Sequence, residues 1–377
     1  MDFLQNEGQR ELAALSRDIL RDWCTPERLR EVEAGGDRFD PGLWAELARA
    51  GILAATLPED LDGSGLGLLE QCSVLTEIGR AVAPAPFLAS IVLGAGALAA
   101  FGTPAQQEFA ARAGRGDIVL TAALAEEDGD DPRAPVVSAE RTKGVGAGDA
   151  GWRLTGVKTA VPAAPRAGLF LVPAATAAGT VVFLVAPDDP GVTLEPQQLV
   201  DTDTAGRLEL AGAEVPAGRV LGGPAAGARI TDWLLARATV GLCAQQLGIL
   251  ERALELTADY AKDRVAFGRP IGSFQAVTQR LADASIDVEA VRLTMWQAAW
   301  RLLSGLPAET EIATAKFWAA EAGHRVAHTA VHIHGGVGID IGYPVHRYFT
   351  AAKRAEFELG GATAQLLRIG AALARAD

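Results

Sequence analysis

All five histidines of the 377-residue chain fall between His324 and His346, a concentration of side chains that could do chemistry. His324, His328 and His332 are spaced four apart and share a face if they lie on one helix, which is a geometry that can hold a metal. No carboxylate stands in an H-E-x-x-H arrangement and no cysteine is near in sequence. A helix packed by half-buried imidazoles, with His332 or His334 hydrogen-bonding at its end, is the simpler account, and no metal is expected. Nucleophiles fare no better. "DGSGLG" has the wrong spacing for a G-x-S-x-G elbow, and Cys24, Cys72 and Cys243 sit in apolar helical patterns that suit small core residues. "GVGAGDAG" lacks the strand–turn–helix setting of a phosphate loop.

Two helix ends remain. In "DRVAFGRPIGSFQAV", Asp263 to Val277, Arg264 can fork two hydrogen bonds onto a diphosphate, which a lysine cannot copy. Phe267 and Phe274 offer flat apolar surface for an aromatic ring, and Gln275 offers an amide donor and acceptor. In "HIHGGVGIDIGYPVHRY", His332 to Tyr348, Gly335 and Gly336 end a helix where bare amides can approach an anion closely. Phe-Gly is commonly just a helix stop and Gly-Gly a C-cap. Together, in one acidic protein, they suggest a dinucleotide lying over helix ends.

The elements that must position these residues change texture twice. Up to about Gly114 apolar residues recur at helical spacing, as in "LWAELARAGILA". From Asp117 to Gly223 short runs such as "DIVLTAALA", "GWRLTGVKTAV", "AGLFLVPA", "GTVVFLVAP" and "GRLELAGAEVP" read as strands, with "EEDGDDPRAP" and "KGVGAGDAG" as surface loops. Helices then return, the first over roughly Thr231 to Arg264. Helices, strands, helices imply an α+β, mainly α chain: an N-terminal helical domain over 1–116, a middle β domain over 117–224 and a C-terminal helical domain over 225–377.

Composition narrows the partners. A formal charge of −13 argues against non-specific binding to nucleic acid or an anionic membrane. Three scattered cysteines fit a reducing compartment, the first residues lack a signal-peptide pattern, and "FLASIVLGAGALAAFG" is too short and Gly-broken to span a bilayer. A cytoplasmic protein is expected.

Almost end to end, the chain resembles the acyl-CoA dehydrogenases. "DRVAFGRPIGSFQAVTQRLAD" is similar to that family's R-x-x-F-G-x-x-I-x-x-F-Q signature, and "AVHIHGGVGIDIGYPVHRYF" to its Q-x-x-G-G-x-G…YP…R signature. "LWAELARAGILAATLPEDLDGSGLG", "WRLTGVKTAV" and "RLELAGAEVPAGRVLG" also resemble family segments. The resemblance implies a helical domain, a β-barrel-like middle domain and a C-terminal four-helix bundle. It further implies FAD as cofactor and α,β-desaturation of an acyl-CoA thioester, in which a carboxylate takes the α-proton while the β-hydrogen leaves as hydride. By the same resemblance Arg264, Phe267, Phe274, Gln275, Gly335 and Gly336 would serve the ADP half of an FAD held mainly by a neighbouring subunit. His332 stands where the family usually has Gln and can still donate one hydrogen bond.

Other positions depart from the family. Its flavin-contacting T-E-P-x-x-G-S-D is "AEEDGDDP" here, and its W-[IV]-[ST]-N is "AVPAAP". Counting from Lys353, the place of the catalytic Glu in Y-E-G-T-S falls on Leu359, with Glu358 one residue early. One residue on a helix turns a side chain by roughly 100°. The alternative site for the base, on the first C-terminal helix, holds Ala238, and the family's CoA-contacting Arg there is Thr239, with Arg237 close by.

The chain therefore resembles the non-autonomous subunit of actinobacterial heterotetrameric (α2β2) acyl-CoA dehydrogenases, whose substrates are bulky, steroid-like acyl-CoA thioesters. Such a subunit would work with a homologous partner carrying the base and pass electrons to an electron-transfer flavoprotein or similar acceptor. Two alternatives remain: a self-sufficient homotetramer using Glu358, and an FAD-free scaffold. Retention of Arg264 and Gln275 speaks against the scaffold.

Overall fold

The structure, a computed structural model, describes residues 3, 5–142 and 151–376. All of "KGVGAGDAG" except its final Gly151 lies outside the described residues.

Helix starts follow from local capping. The Asn6 side chain accepts the Gln9 N–H at 2.8 Å while the Gln9 side chain accepts the Asn6 N–H at 3.0 Å, and α1 (Glu7–Trp23) begins there. After α2 (Pro26–Ala34), Asp40 caps α3 (Pro41–Arg49) by accepting from Gly42 and Leu43. Next comes α4 (Leu68–Ala81). The apolar run at Leu88–Ala95 winds as a π-helix that leads into α5 (Gly96–Phe101), and Thr103 caps α6 (Pro104–Gly114).

The strands β1 (Val119–Ala122), β2 (Ser138–Arg141), β3 (Gly151–Pro162), β4 (Ala167–Thr176), β5 (Gly179–Val185), β6 (Val192–Gln198) and β7 (Thr204–Pro216) form one sheet. Its order is β1-β4-β2-β3-β7-β6, with β5 paired to β4. Trp152, Leu154, Phe170, Phe183, Leu208 and Val215 lie in its core, the Trp152 and Phe183 rings meeting edge to face at 5.2 Å. The five strand-like runs of the sequence correspond to β1, β3, β4, β5 and β7. β2 and β6 were not legible, for a physical reason. β2 buries one residue of four, and β6 is an edge strand carrying Pro196, so neither shows the apolar signal of a central strand.

The C-terminal part holds α7 (Gly227–Asp263), a hairpin of β8 (Val265–Ala266) and β9 (Arg269–Pro270), then α8 (Gln275–Leu303), α9 (Glu309–His334), α10 (Val345–Phe357) and α11 (Ala362–Ala376). Among the described helices α7 is long and apolar enough to cross a membrane, but 78% of its apolar window is buried inside the protein, as in a core helix.

Two compact units result, one comprising Met1–Glu31, Gly67–Ala83 and Thr239–Asp377, the other Val32–Leu66 and Pro84–Ala238. In the first, α4 and α7 cross closely because both are glycines at the contact. A Cβ on Gly79 would sit 2.0 Å from the Gln245 carbonyl oxygen, and one on Gly248 would sit 1.9 Å from that of Thr76. Gln246 then ties α7 to α9 and α10, donating to the Ala319 and Ala352 carbonyls at 3.2 and 3.3 Å. Arg80 bridges Glu251 and Glu255 at 2.8 and 2.7 Å, holding α4 against the same helix. This framework fixes the ends of α7 and α9. In the second unit the sheet is the core.

Candidate active site

The Arg264 turn is shaped by its backbone. The Arg264 N–H still donates to Tyr260 O at 2.8 Å, closing α7, and Ile271 N–H returns to Arg264 O at 2.8 Å, closing the hairpin. Phe267 (φ +52°) and Gly268 (φ +79°) form its two-residue tip, both left-handed as a tight hairpin turn requires. A phenylalanine in that region is strained by an amount on the order of 1 kcal/mol. It is nonetheless held out, 96% exposed, edge to face with Phe274 at 6.2 Å. The Arg269 guanidinium lies 4.2 Å over the Phe274 ring. Arg264 and Gln275 are exposed and make no side-chain hydrogen bond or ion pair with any described residue. Gln275 opens α8, whose first turn has no side-chain cap, so bare N–H groups and the positive end of the helix lie beside it.

The second turn comes next to the first. Gly335 (φ +64°) ends α9 with its N–H donated to the Val331 carbonyl, and an ideal Cβ on either Gly335 or Gly336 would meet nothing within 4 Å, so the surface over both glycines is open to a ligand. His332 is exposed and unbonded among the described residues. His334 instead is buried and hydrogen-bonds Ala330 O at 2.8 Å, stacking on Tyr260 at 4.3 Å. Since Tyr260 is one helical turn before Arg264, this stack joins the two turns.

His332 also opens onto a groove of about 650 Å³ between α8 and α9, lined among others by Arg280, Asp283, His324, His328 and Thr329. His324, His328 and His332 do share a helix face. The His324 ring meets His328 at 4.5 Å and its Nδ1 lies 3.3 Å from Glu356. Burial, with help from His324 and Lys353, holds His328 below the ordinary histidine value. No group of three or more His, Cys, Asp or Glu among the described residues is arranged to bind a metal.

Glu358 caps α10, where its Oε2 lies 3.3 Å from Arg354 Nε. The chain then turns through Leu359 (φ +60°) and Gly360 (φ +94°), and Gln365 Nε2 holds that turn by donating to both carbonyls at 3.1 and 2.9 Å. Beneath it the buried Lys316 ammonium donates to the Ala355 and Glu356 carbonyls at 2.9 and 3.1 Å, and burial pushes its pKa down. The Glu358 carboxylate is thus engaged by the arginine of its own helix. Ala238 and Thr239 are buried in α7 and supply no carboxylate. Arg237 lies over the Trp233 ring at 3.9 Å, its pKa lowered to about 10 by burial.

The two flavin-facing segments of the family are closed on themselves. In "AEEDGDDP", Glu126 accepts from Lys158 Nζ at 2.6 Å and from the Val136 and Val137 N–H groups. The pair is fully inside, with side chains 0% and 4% exposed. Burial lowers the Lys158 pKa, and Glu126 opposes that shift. Glu127 and Glu209 both hold Arg207, at 2.7 and 2.9 Å. In "AVPAAP", Ala160 (φ +47°) gives its N–H to Gln197 Oε1 at 2.8 Å, and Ala163 is also left-handed.

The sequence residues in the two turns are therefore brought together. The Tyr260–His334 stack and Arg280 were missed, although Tyr260 stands four before Arg264 and His334 adjoins Gly335.

Comparison with known proteins bears on the family and the fold. The acyl-CoA dehydrogenase N-terminal domain model matches residues 6–113 and the C-terminal domain model matches residues 225–374. The chain is 50% identical over 383 aligned residues to the acyl-CoA dehydrogenase FadE27 of Mycobacterium tuberculosis, covering 99% of each. It superposes on a chain of the ChsE4-ChsE5 complex from Mycobacterium tuberculosis with a TM-score of 0.92 and 51% identity, covering 99% of each. A Tcur3481-Tcur3483 steroid ACAD variant gives 0.90 and 42%, covering 98% of each. On this sequence and fold the chain belongs to the acyl-CoA dehydrogenase family, the FAD-dependent oxidoreductases that act on acyl-CoA.

Proposed function

We propose that this chain is the cofactor-completing subunit of a two-subunit acyl-CoA dehydrogenase, working in an α2β2 assembly with a homologous subunit that carries the catalytic base. One observation carries the proposal. The side chains of Arg264, Gln275 and His332 bond to no described residue and the surface over Gly335 and Gly336 is open, whereas the segments that would face a flavin ring are bonded to their own chain.

The open residues fit the ADP half of FAD. A guanidinium can fork onto the diphosphate. The side-chain-free surface of Gly335 and Gly336 lets it come close, and the exposed Phe267 ring with the half-buried Phe274 ring can cover apolar surface. When bound, FAD accepts the hydride lost from the acyl β-carbon. The role of this chain is to bind and orient its adenosine side and to exclude water. Glu358, engaged with Arg354, is not the base in this reading.

Two further points support a partner. The solved relatives of 51% and 42% identity are chains of two-protein assemblies, one of them called a steroid ACAD. In addition, large apolar side chains stay exposed along the C-terminal part, with Phe267, Ile339, Ile341, Phe357 and Leu367 each more than half open. A bulky acyl-CoA substrate, an electron-transfer flavoprotein as acceptor and a cytoplasmic setting complete the reading.

The test is purification of the chain alone and with the co-expressed partner. A colourless lone chain and a yellow pair support it. A yellow, active lone chain would transfer the role to a homotetramer using Glu358, and a colourless pair would leave a scaffold.

A further inference from the structure

One buried group at the junction of the two turns has a ring atom that no hydrogen bond explains. His334 is 4% exposed, and its Nδ1–H donates to the Ala330 carbonyl at 2.8 Å. That bond fixes the proton on Nδ1 and leaves Nε2 a bare acceptor, which is buried with no hydrogen-bond partner among the described residues. A buried unpaired acceptor is unfavourable, so its environment is set by something other than hydrogen bonding. That something is ring packing. The imidazole stacks on Tyr260 at 4.3 Å and 27°, and meets Tyr343 at 5.3 Å and 53°. The two tyrosines complete the triangle at 6.4 Å.

Each corner belongs to a different segment of the candidate site. Tyr260 lies in the last turn of α7, and its carbonyl accepts the Arg264 N–H at 2.8 Å. His334 directly precedes Gly335, and Tyr343 follows the short turn Gly335–Ile339. We propose that His334 is a positioning residue. Through its two ring contacts it sets the spacing between the Arg264 guanidinium on one turn and the open backbone surface of Gly335 and Gly336 on the other. This rests on reading those turns as the FAD-binding site. A constellation of this kind has to be held within about half an ångström by packed neighbours, and these rings are the packing between the two turns.

The experiment titrates FAD into the flavin-stripped native assembly and follows flavin fluorescence, with thermal unfolding of the flavin-free protein measured alongside. His334→Ala is expected to weaken FAD binding at least tenfold, and Tyr260→Leu to do the same. Because both remove one shared stack, the double variant should lose no more than about threefold beyond either single one, whereas independent effects would multiply. His334→Phe keeps a flat ring and should stay within about threefold of the unmodified protein. Should His334→Ala not fold, His334→Asn and Tyr343→Leu carry the same expectation.

An affinity within twofold of the unmodified protein in His334→Ala, or losses that multiply in full, would overturn the proposal. So would His334→Phe losing as much as His334→Ala. Arg264→Ala runs in parallel to separate the two claims. If it too leaves FAD binding unchanged, the FAD reading of the turns falls. If it weakens binding while His334→Ala does not, that reading stands and only the positioning role falls.

Discussion

The turns at Arg264 and Gly335 and the strand segments at Glu126 and Ala160 hold comparable polar groups, finished in opposite ways. In the strands, Glu126 and Lys158 satisfy each other, Arg207 is held by Glu127 and Glu209, and the Ala160 amide is taken by Gln197. In the turns, Arg264, Gln275 and His332 bond to no described residue, and the paired glycines face open space. Polar groups that are already paired inside one chain have nothing left to offer a ligand. A strained, fully exposed Phe267 beside an unpaired arginine has little structural reason to be there unless something else covers it. The difference separates stability from recognition. The strand segments hold the β domain together, and the turns keep polar groups free for a ligand.

Variants can break that comparison, and the largest effect belongs to the strands. Glu126→Ala leaves the Lys158 ammonium buried without a partner, which costs about 3–5 kcal/mol of stability in comparable cases. Chemical denaturation should show a loss of that size. FAD affinity per folded molecule should hold within about twofold, and a selective loss of FAD with little unfolding would erase the distinction between the two regions.

In the turns the order is reversed. Arg264→Lys keeps the charge but cannot span two phosphate oxygens. With charge-assisted bonds contributing about 1.5–3 kcal/mol, FAD affinity should fall at least tenfold while the melting temperature of the flavin-free protein stays nearly unchanged. Equal affinity in the lysine variant would show that only the charge matters there.

Glu358 sharpens the comparison from a third side. Its carboxylate pairs with Arg354, so Glu358→Gln should cost less than about tenfold in turnover with FAD content intact. Removal of a true base would reduce turnover by at least two orders of magnitude. A loss of that order with flavin still bound would place the base on this chain.

The smallest effect concerns acid. Burial holds His334 below the ordinary histidine value, against the opposing pull of its bond to Ala330. The unfolded chain therefore takes up the proton first. The stability this residue contributes is complete above about pH 6.5 and declines as the pH falls below it. Stability curves between pH 7.5 and 5 should decline less in His334→Phe than in the unmodified protein. Parallel curves would show that the buried imidazole does not titrate in this way.

How much of this could be read from residues alone depends on what kind of signal carried it. The long helices announced themselves by apolar periodicity, and the reading of Thr231 to Arg264 lies within four residues of α7 at its start and one at its end. β1, β3, β4, β5 and β7 were legible as apolar or alternating runs bounded by turn residues. β6 was not, because an edge strand with Pro196 looks like a loop. Arg264 and the paired glycines were legible as a local pattern of a forking cation and a glycine helix end, although the Gly335 amide is spent on the Val331 carbonyl. The Tyr260–His334 stack joins residues 74 positions apart, and no local pattern marks it. Likewise, "AEEDGDDP" reads as an acidic loop. That Glu126 is instead the buried counter-ion of Lys158 follows only from the pairing of two segments in the sheet. Residues grouped within one turn are legible in local sequence, and pairs that meet across the fold are not.

The most direct measurement is flavin stoichiometry. The purified assembly is denatured, released FAD is quantified by absorbance, and both chains are quantified by mass. The account predicts one FAD per pair of unlike chains, because this chain's own flavin-facing segments are closed. A ratio near one FAD per chain, or full loading of this chain expressed alone, would contradict it.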